Sequence, residues 1–260
     1  MKQIFALLVT VFALFACSAP EYKITGTIDG AADGDSVMLG YSSNGVDFTT
    51  VKTAVIENGE FQFSGRQDGC KIYYIGYESE ESPIYALFFL EGGEIKAEIG
   101  ANYSYITGTP ANDLNIQIED SLESYVMKML NYQDILYRDS TLTEAEKADL
   151  DSKNYDAQRA AMAYVQKAVR DNIDNMVGLF LLAQYSDLFD DNELVQLLAS
   201  IPDENKDPDN NPLYDILLEI QSYRTNPETN SGTTPGTMDE IINSVDDIDN
   251  EIAEESNIVE

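Results

Sequence analysis

The residues that most often carry enzyme chemistry are scarce in this sequence. Among its 260 residues there is no histidine, and the only two thiols are Cys17 and Cys70. Without imidazole the chain lacks the usual general base of serine and cysteine hydrolases and the commonest ligand of zinc and haem iron. A disulfide oxidoreductase needs a resolving thiol, normally in a Cys-X-X-Cys motif, and none is present. We therefore expect Cys70 to be a small buried or edge residue at the start of a strand, with a lone reactive thiol as the alternative, and we expect no cofactor.

Carboxylates are the abundant titratable groups. The chain has 47 Asp and Glu against 15 Lys and Arg, which gives a formal net charge of −32. A chain of this charge is repelled by phosphate backbones, so we expect no nucleic-acid partner. Because 43% of the residues are hydrophobic, the acidic side chains are expected to solvate the surface of a folded body rather than to mark a disordered chain.

Carboxylates at this density serve two kinds of site in proteins, calcium sites and glycoside hydrolase centres. The acidic segment DENKDPDNNPLYD, residues 203–215, has Pro208 where a calcium-binding EF-hand needs glycine, and Tyr214 where it needs a bidentate glutamate. We therefore predict a solvated loop and no metal site. A glycoside hydrolase needs two carboxyl groups about 5 to 10 Å apart in a sugar-binding cleft. No pair stands out among 47 candidates, so we expect no enzyme activity, and a carboxylate-dependent hydrolase is the alternative.

Tyrosines are concentrated in the strand-rich part of the chain. Aromatic faces can stack on sugars or on partner proteins. One hypothesis is therefore a binding surface that uses Tyr73, Tyr77, Tyr85, Tyr103 and Tyr105. The interpretation that the sequence favours is that these rings fill the interface between a sheet and helices, because the strands KIYYIGY and IYALFFL are apolar on both faces.

The elements that would position these residues change type near Pro110. Residues 22–107 contain eight short segments rich in β-branched and aromatic residues, separated by turn signals such as Asn58-Gly59. This spacing predicts an antiparallel β-sandwich or barrel. The segment FTTVKTAVIENGEFQF has the strongest hairpin signal, because Asn-Gly suits a tight turn with positive φ.

After Pro110 the apolar residues recur at helical spacing and predict about five amphipathic helices. Thr143 and Glu146 have the spacing of a capping box, and Asp190 is placed to cap a later helix. The fold class predicted from the sequence is α+β, with a β-rich domain at residues 17–109 and a helical domain at residues 110–225.

The N-terminus carries an apolar run from Ile4 to Cys17 that is preceded by Lys2. It is too short to cross a bilayer, which needs about 20 apolar residues, and it has the parts of a secretory signal. Its end, LFAC, resembles the lipobox of bacterial lipoproteins, in which the signal is cut before the cysteine and the cysteine is acylated. We therefore predict a signal peptide at residues 1–16 and a lipid anchor on Cys17; the alternative is an ordinary signal cleaved near Ala16 or Ala19.

A broader resemblance supports this interpretation. The segment YKITGTIDGAADGDSVMLGY and the NGEFQF turn resemble the β-rich domain of unknown function that follows the lipobox in Bacteroidetes-type lipoproteins. The segments GTPANDLN and NIDNMVGLFLL are similar to the transition and helical linker of the same proteins. In that family a thioredoxin-like domain with a Trp-Cys-X-X-Cys site often follows, but this sequence has no tryptophan, and the redox role does not transfer.

The expected partners and location follow from the anchor. The resemblance implies attachment to the outer membrane, and CSAPEYK lacks the acidic cluster that resembles a surface-export signal, so we expect the protein to face the periplasm. An envelope protein or a glycan is the expected partner. Residues 226–237 have the composition of a flexible linker. Residues 238–260 form an acidic amphipathic segment that is expected to be helical only against the chain's own helical domain or a partner's groove, and otherwise disordered.

Overall fold

The computed structural model describes residues 20–42, 48–78, 83–207 and 211–225. The predicted signal peptide, Cys17, the linker and the acidic tail lie outside these ranges. The chain forms two compact units, Met1–Ser121 and Leu122–Glu260. Within the described residues, no helix has the length and apolar character needed to cross a membrane.

The first unit contains the eight strands predicted from the sequence, each at the expected place in the described chain. Their bounds are β1 Glu21–Ile28, β2 Ser36–Ser42, β3 Phe48–Val55, β4 Phe61–Arg66, β5 Lys71–Glu78, β6 Pro83–Leu90, β7 Gly93–Gly100 and β8 Tyr103–Thr107.

These strands form two four-stranded sheets. The first sheet has the order β4-β1-β7-β8 and the second has the order β3-β2-β5-β6. Neighbouring strands are antiparallel except β1 and β7, which run parallel with Ile24 beside Ile95. The sheets remain separate and enclose one hydrophobic core, so the predicted sandwich is confirmed and the barrel is not formed. Ile24 and Phe61 of the first sheet are fully buried in this core together with Leu39 and Phe88 of the second.

The Asn58-Gly59 turn forms, but it does not produce the predicted hairpin. Both residues have positive φ, 55° and 79°, and the backbones of Glu57 and Glu60 exchange hydrogen bonds of 2.9 and 3.2 Å. Beyond that bridge the strands part, because β3 pairs with β2 and β4 pairs with β1. The turn therefore carries the chain from one sheet to the other.

Lys52 closes the gap between these two edge strands. Its side chain reaches from β3 towards β4, where the ammonium group donates a hydrogen bond to the carbonyl of Ser64. The same group lies 5.4 Å from the centroid of the Tyr22 ring. An inward-pointing charge on an edge strand discourages pairing with another chain, so Lys52 protects this side of the sandwich.

The GTPANDLN segment closes the opposite side, next to β6. Asn112, at 2% exposure, accepts a hydrogen bond from the Phe89 N–H (2.9 Å) and donates to the Phe89 carbonyl (2.7 Å). It also donates to Thr109 Oγ1 at 2.8 Å. The amide thus occupies the place of a neighbouring strand at the edge of β6. The segment singled out by resemblance has a structural role in this sandwich.

The described part of the chain has the five predicted helices, in an α+β arrangement. They are α1 Pro110–Arg138, α2 Glu144–Asp171, α3 Met176–Gln184, α4 Asp191–Ser200 and α5 Pro212–Thr225. The division between the two units falls inside α1. The Thr143–Glu146 capping box opens α2, and the Asp190 side chain accepts the Glu193 N–H to cap α4. Both predicted caps are confirmed.

A tight connection joins α2 to α3 in the second unit. The Asn175 side chain accepts the N–H groups of Val177 and Gly178 and so caps α3. Gly178 lies against the chain just after α2: a Cβ atom there would be 1.8 Å from the Asn172 carbonyl oxygen. The NIDNMVG part of the second segment singled out by resemblance therefore has a steric role.

Candidate binding face

The first sheet has one face in the core and one in solvent. Along β1 the exposed and buried residues alternate, and β7 follows the same rule, because Ile95, Ala97 and Ile99 point into the core. The residues that alternate with these buried ones face solvent, and they make up a surface that we call the outer face. It consists of Glu21, Lys23, Thr25, Thr27, Gln62, Ser64, Arg66, Glu94, Lys96, Glu98, Gly100, Tyr103, Tyr105 and Thr107.

Charge on the outer face is balanced, unlike that of the whole chain. Its three basic residues, Lys23, Arg66 and Lys96, match its three acidic residues, Glu21, Glu94 and Glu98. Arg66 forms an ion pair of 3.0 Å with Glu21, and Lys23 lies beside Glu94 in the register. The remaining polar groups are hydroxyls and one amide, which can both donate and accept hydrogen bonds. The charges of these strand residues therefore sum to zero, and Asp29 at the end of β1 adds one negative charge, on a chain of net charge −32.

Tyr103 lies across this face rather than standing up from it. The side chain starts on β8 and passes over Gly100 of β7, where a Cβ atom would be 2.2 Å from the ring carbon Cε1. It ends beyond β7, where its hydroxyl donates a hydrogen bond of 2.7 Å to Asp29, the residue that follows β1. With one side of the ring on the sheet and 53% of the residue exposed, the other side faces solvent.

The hydrogen bond to Asp29 also keeps this tyrosine protonated to a higher pH than usual. The bond to the carboxylate raises the pKa of Tyr103, and the negative charges of Asp29 and Glu98 act in the same direction. The hydroxyl, which is neutral at physiological pH, donates its proton in the bond to Asp29. The ring is anchored at both ends, by the backbone of β8 and by Asp29.

Tyr105 extends the aromatic surface along the same strand. It is 47% exposed and lies opposite Glu98 in the register. Residues two apart on a strand point to the same face about 7 Å apart. Tyr103 and Tyr105 thus form an aromatic edge beside the hydroxyls and charged groups of β1 and β7.

The other predicted tyrosines do not join this surface. Tyr77 is 8% exposed in the core, where its hydroxyl donates a hydrogen bond of 2.8 Å to Asp35. Tyr73 also points inward and packs against the core, and burial raises its pKa. Tyr85 is exposed but belongs to the second sheet, where its ring lies over Gly76. The interpretation that rings fill an interface thus holds for Tyr73 and Tyr77, although the interface lies between the two sheets.

Sequence reasoning missed the residues that position Tyr103. Gly100 and Asp29 carry no sequence signal of their own, because their roles depend on the register of β7 with β8 and on the parallel pairing of β1 with β7. The alternation of inward and outward side chains along β8 can be predicted from the sequence. In YSYIT, inward-pointing Ile106 places Tyr103 and Tyr105 together on the opposite face.

The remaining candidates in the described chain are the carboxylates and Cys70. A depression of about 510 Å³ beside the Asn58-Gly59 turn is lined by Glu57 and Glu60, but both side chains are exposed to solvent. Among the described residues, no group of three or more Asp, Glu and Cys could hold a metal ion. Cys70 is half-buried, and its burial, assisted by the charge of Glu91, raises the pKa of the thiol to about 12.

The first unit is an eight-stranded β-sandwich whose edges are closed by Lys52 and Asn112 and whose exposed face carries a fixed tyrosine. Residues 22–115 match the family model described as a domain of unknown function, DUF4369. The match begins in β1 and ends in α1 at Asn115, three residues after Asn112, so it covers the whole sandwich and its closing segment. No curated protein and no solved structure matches the chain.

Proposed function

We propose that this protein is a lipid-anchored envelope protein without catalytic activity, which binds another envelope component through the outer face. The signal-like N-terminus ending in LFAC supports the anchor on Cys17 and attachment to the outer membrane, facing the periplasm. The absence of histidine from the sequence and the raised pKa of Cys70 support a non-catalytic role. The hydrolase alternative needs two carboxyl groups in a sugar-binding cleft. Glu57 and Glu60, which line the depression beside the Asn58-Gly59 turn, are instead exposed to solvent.

The fixed position of Tyr103 is the observation that carries the binding proposal. An exposed aromatic ring normally loses rotamer freedom on binding, which costs about 0.5–1.5 kcal/mol for a side chain with several rotamers. Gly100 and Asp29 restrain this ring before any ligand arrives. A large, rigid, half-exposed ring next to a second tyrosine is the kind of contact on which binding surfaces depend.

Co-sedimentation with isolated envelopes tests the proposal. The full chain carrying Cys17→Ala is used, so that a lipid anchor does not hold the protein on the membrane. We expect saturable binding that becomes at least about 10-fold weaker when both Tyr103 and Tyr105 are changed to Ala, which corresponds to about 1.4 kcal/mol or more.

A matched control is available in the second unit. Tyr137 and Tyr155 are more exposed than the two outer-face tyrosines and lie on helices. Changing both of them to Ala removes the same chemical groups and should leave envelope binding unchanged. If the Tyr103/Tyr105 and Tyr137/Tyr155 double variants bind envelopes equally well, the proposal that the outer face is the binding surface is contradicted.

A further inference from the structure

We propose that the component bound by the outer face is a neutral glycan, with a sugar ring stacked on the open side of Tyr103. This inference rests on the proposed function and specifies the chemical class of its ligand. Three features of the face support it: the charge balance, the orientation of the tyrosine ring and the kind of polar groups beside it.

The charge balance selects against charged ligands. A polyanion would be repelled by a chain of net charge −32, and a polycation would be drawn to the acidic surface elsewhere rather than to a face where charges nearly cancel. A neutral ligand gains nothing from long-range attraction and must be held by short-range contacts. On the outer face, where three residues of each sign lie beside Asp29, such contacts involve little electrostatic bias.

The orientation of Tyr103 suits a flat apolar surface with a polar rim. Sugar rings present C–H groups on a face and hydroxyls around the edge. The Tyr103 ring lies along the sheet, so its free side can receive the C–H face of a sugar, while Tyr105 lies about 7 Å further along β8. The sugar hydroxyls would then point towards the neighbouring strands.

The polar groups on those strands match sugar hydroxyls. Thr25 and Thr27 of β1 and Thr107 of β8 carry hydroxyls that donate and accept hydrogen bonds, as sugar hydroxyls do. Glu98 lies between Thr27 and Tyr105 in the register and adds a strong acceptor. A protein partner would instead be expected to meet an interface centre depleted of charged residues, which this face is not.

Envelope co-sedimentation, with the full chain carrying Cys17→Ala, distinguishes the possible ligands. Periodate oxidation of the envelopes cleaves the vicinal diols of glycans, whereas proteinase K removes exposed proteins. We expect periodate treatment to reduce binding at least about 5-fold and proteinase K to leave it unchanged. Binding should also vary less than about 2-fold between roughly 0.05 M and 0.5 M NaCl, because a neutral ligand is insensitive to screening.

Gly100→Ala tests the stacking without removing any polar group or ring. The new Cβ would lie 2.2 Å from the Tyr103 Cε1 atom, so the ring must lift from the sheet. We expect Gly100→Ala and Tyr103→Ala each to weaken binding at least about 5-fold, whereas Tyr103→Phe, which keeps the ring and loses the bond to Asp29, should fall between them and the unchanged chain. Circular dichroism checks that the variants are folded.

The outcomes separate this inference from the proposed function. Binding that survives periodate but is lost after proteinase K, while still depending on Tyr103 and Tyr105, would overturn the glycan and leave the outer face as a protein-binding surface. Strong salt dependence would overturn a neutral ligand. If Gly100→Ala and Tyr103→Ala leave the binding affinity unchanged, the stacking of a sugar on Tyr103 is overturned. If the double tyrosine variant also binds as tightly as the unchanged chain, the proposed function itself is overturned.

Discussion

Replacing Asn112 should destabilise the sandwich strongly, although the residue lies outside the inter-sheet core. Its amide makes three hydrogen bonds, to the N–H and carbonyl of Phe89 and to Thr109 Oγ1. Asn112→Ala removes all three of these hydrogen bonds in a buried environment. A typical intramolecular hydrogen bond contributes about 0.5–1.5 kcal/mol to stability. We expect a loss of about 3 kcal/mol in the free energy of unfolding.

A loss of this size is large enough to measure by thermal unfolding. For a unit of about 100 residues, 1 kcal/mol shifts the midpoint by roughly 4–8 °C, so Asn112→Ala should lower it by at least about 10 °C. The assay is a melting curve followed by circular dichroism on the full chain carrying Cys17→Ala. Asn102→Ala is the matched control, because Asn102 is an exposed asparagine of the same unit; it should change the midpoint by less than about 2 °C.

Asn112→Asp separates hydrogen bonding from packing. Aspartate has nearly the same shape and keeps an acceptor for the Phe89 N–H, but it cannot donate to the Phe89 carbonyl when ionised. We therefore expect it to be about as destabilised as Asn112→Ala near pH 7. A midpoint close to that of the unchanged chain for either variant would refute the argument that the amide substitutes for a neighbouring strand.

Three further predictions follow from single residues. Cys17→Ala should release the protein into the soluble periplasmic fraction and abolish incorporation of labelled fatty acid; continued labelling would contradict the lipid anchor. In the Cys17→Ala chain, Cys70 should react with iodoacetamide at pH 8 roughly 1,000-fold more slowly than in the urea-unfolded chain, because a rise of the thiol pKa to about 12 lowers the thiolate fraction by about three orders of magnitude. The buried thiol favours folding fully below about pH 9, and this contribution should decline as pH rises towards 12. Similar rates in the two states would contradict burial of the thiol. Gly178→Ala should lower the free energy of unfolding of the helical unit by at least about 2 kcal/mol, because the new Cβ would overlap the Asn172 carbonyl. This loss should outweigh the better helix propensity of alanine. A higher urea midpoint for the variant would show that the α2–α3 connection can open without cost.

Local patterns were sufficient to predict the elements. The strands of residues 22–107 are short, rich in β-branched and aromatic residues and bounded by turn residues, and each segment of that kind became a strand. The helices followed from apolar spacing, and the caps at Thr143 and Asp190 followed from side chains that bond within three residues. Such interactions are encoded within a few neighbouring residues, so a single sequence displays them.

The pairing of strands could not be predicted in the same way. The Asn58-Gly59 pair correctly indicated a tight turn, but the choice between a hairpin and a crossing to the other sheet depends on which strands β3 and β4 meet elsewhere. The parallel pairing of β1 with β7 joins residues about 70 positions apart, as do the contacts of Tyr103 with Asp29. The sequence therefore predicts only part of the candidate binding face. It identifies the tyrosines, but not Gly100 and Asp29, which hold Tyr103 in place.

Site-specific photo-crosslinking in intact envelopes tests most directly whether the outer face is the binding surface. A benzophenone amino acid is introduced at Thr27, which shares a cross-strand row with Glu98 and Tyr105, and in a second chain at Met127, an exposed residue of α1 in the other unit. We predict a covalent adduct from position 27 and none from position 127, with the adduct sensitive to periodate. An adduct from position 127 alone, or none from position 27 under conditions where the envelopes retain the protein without its anchor, would contradict the account.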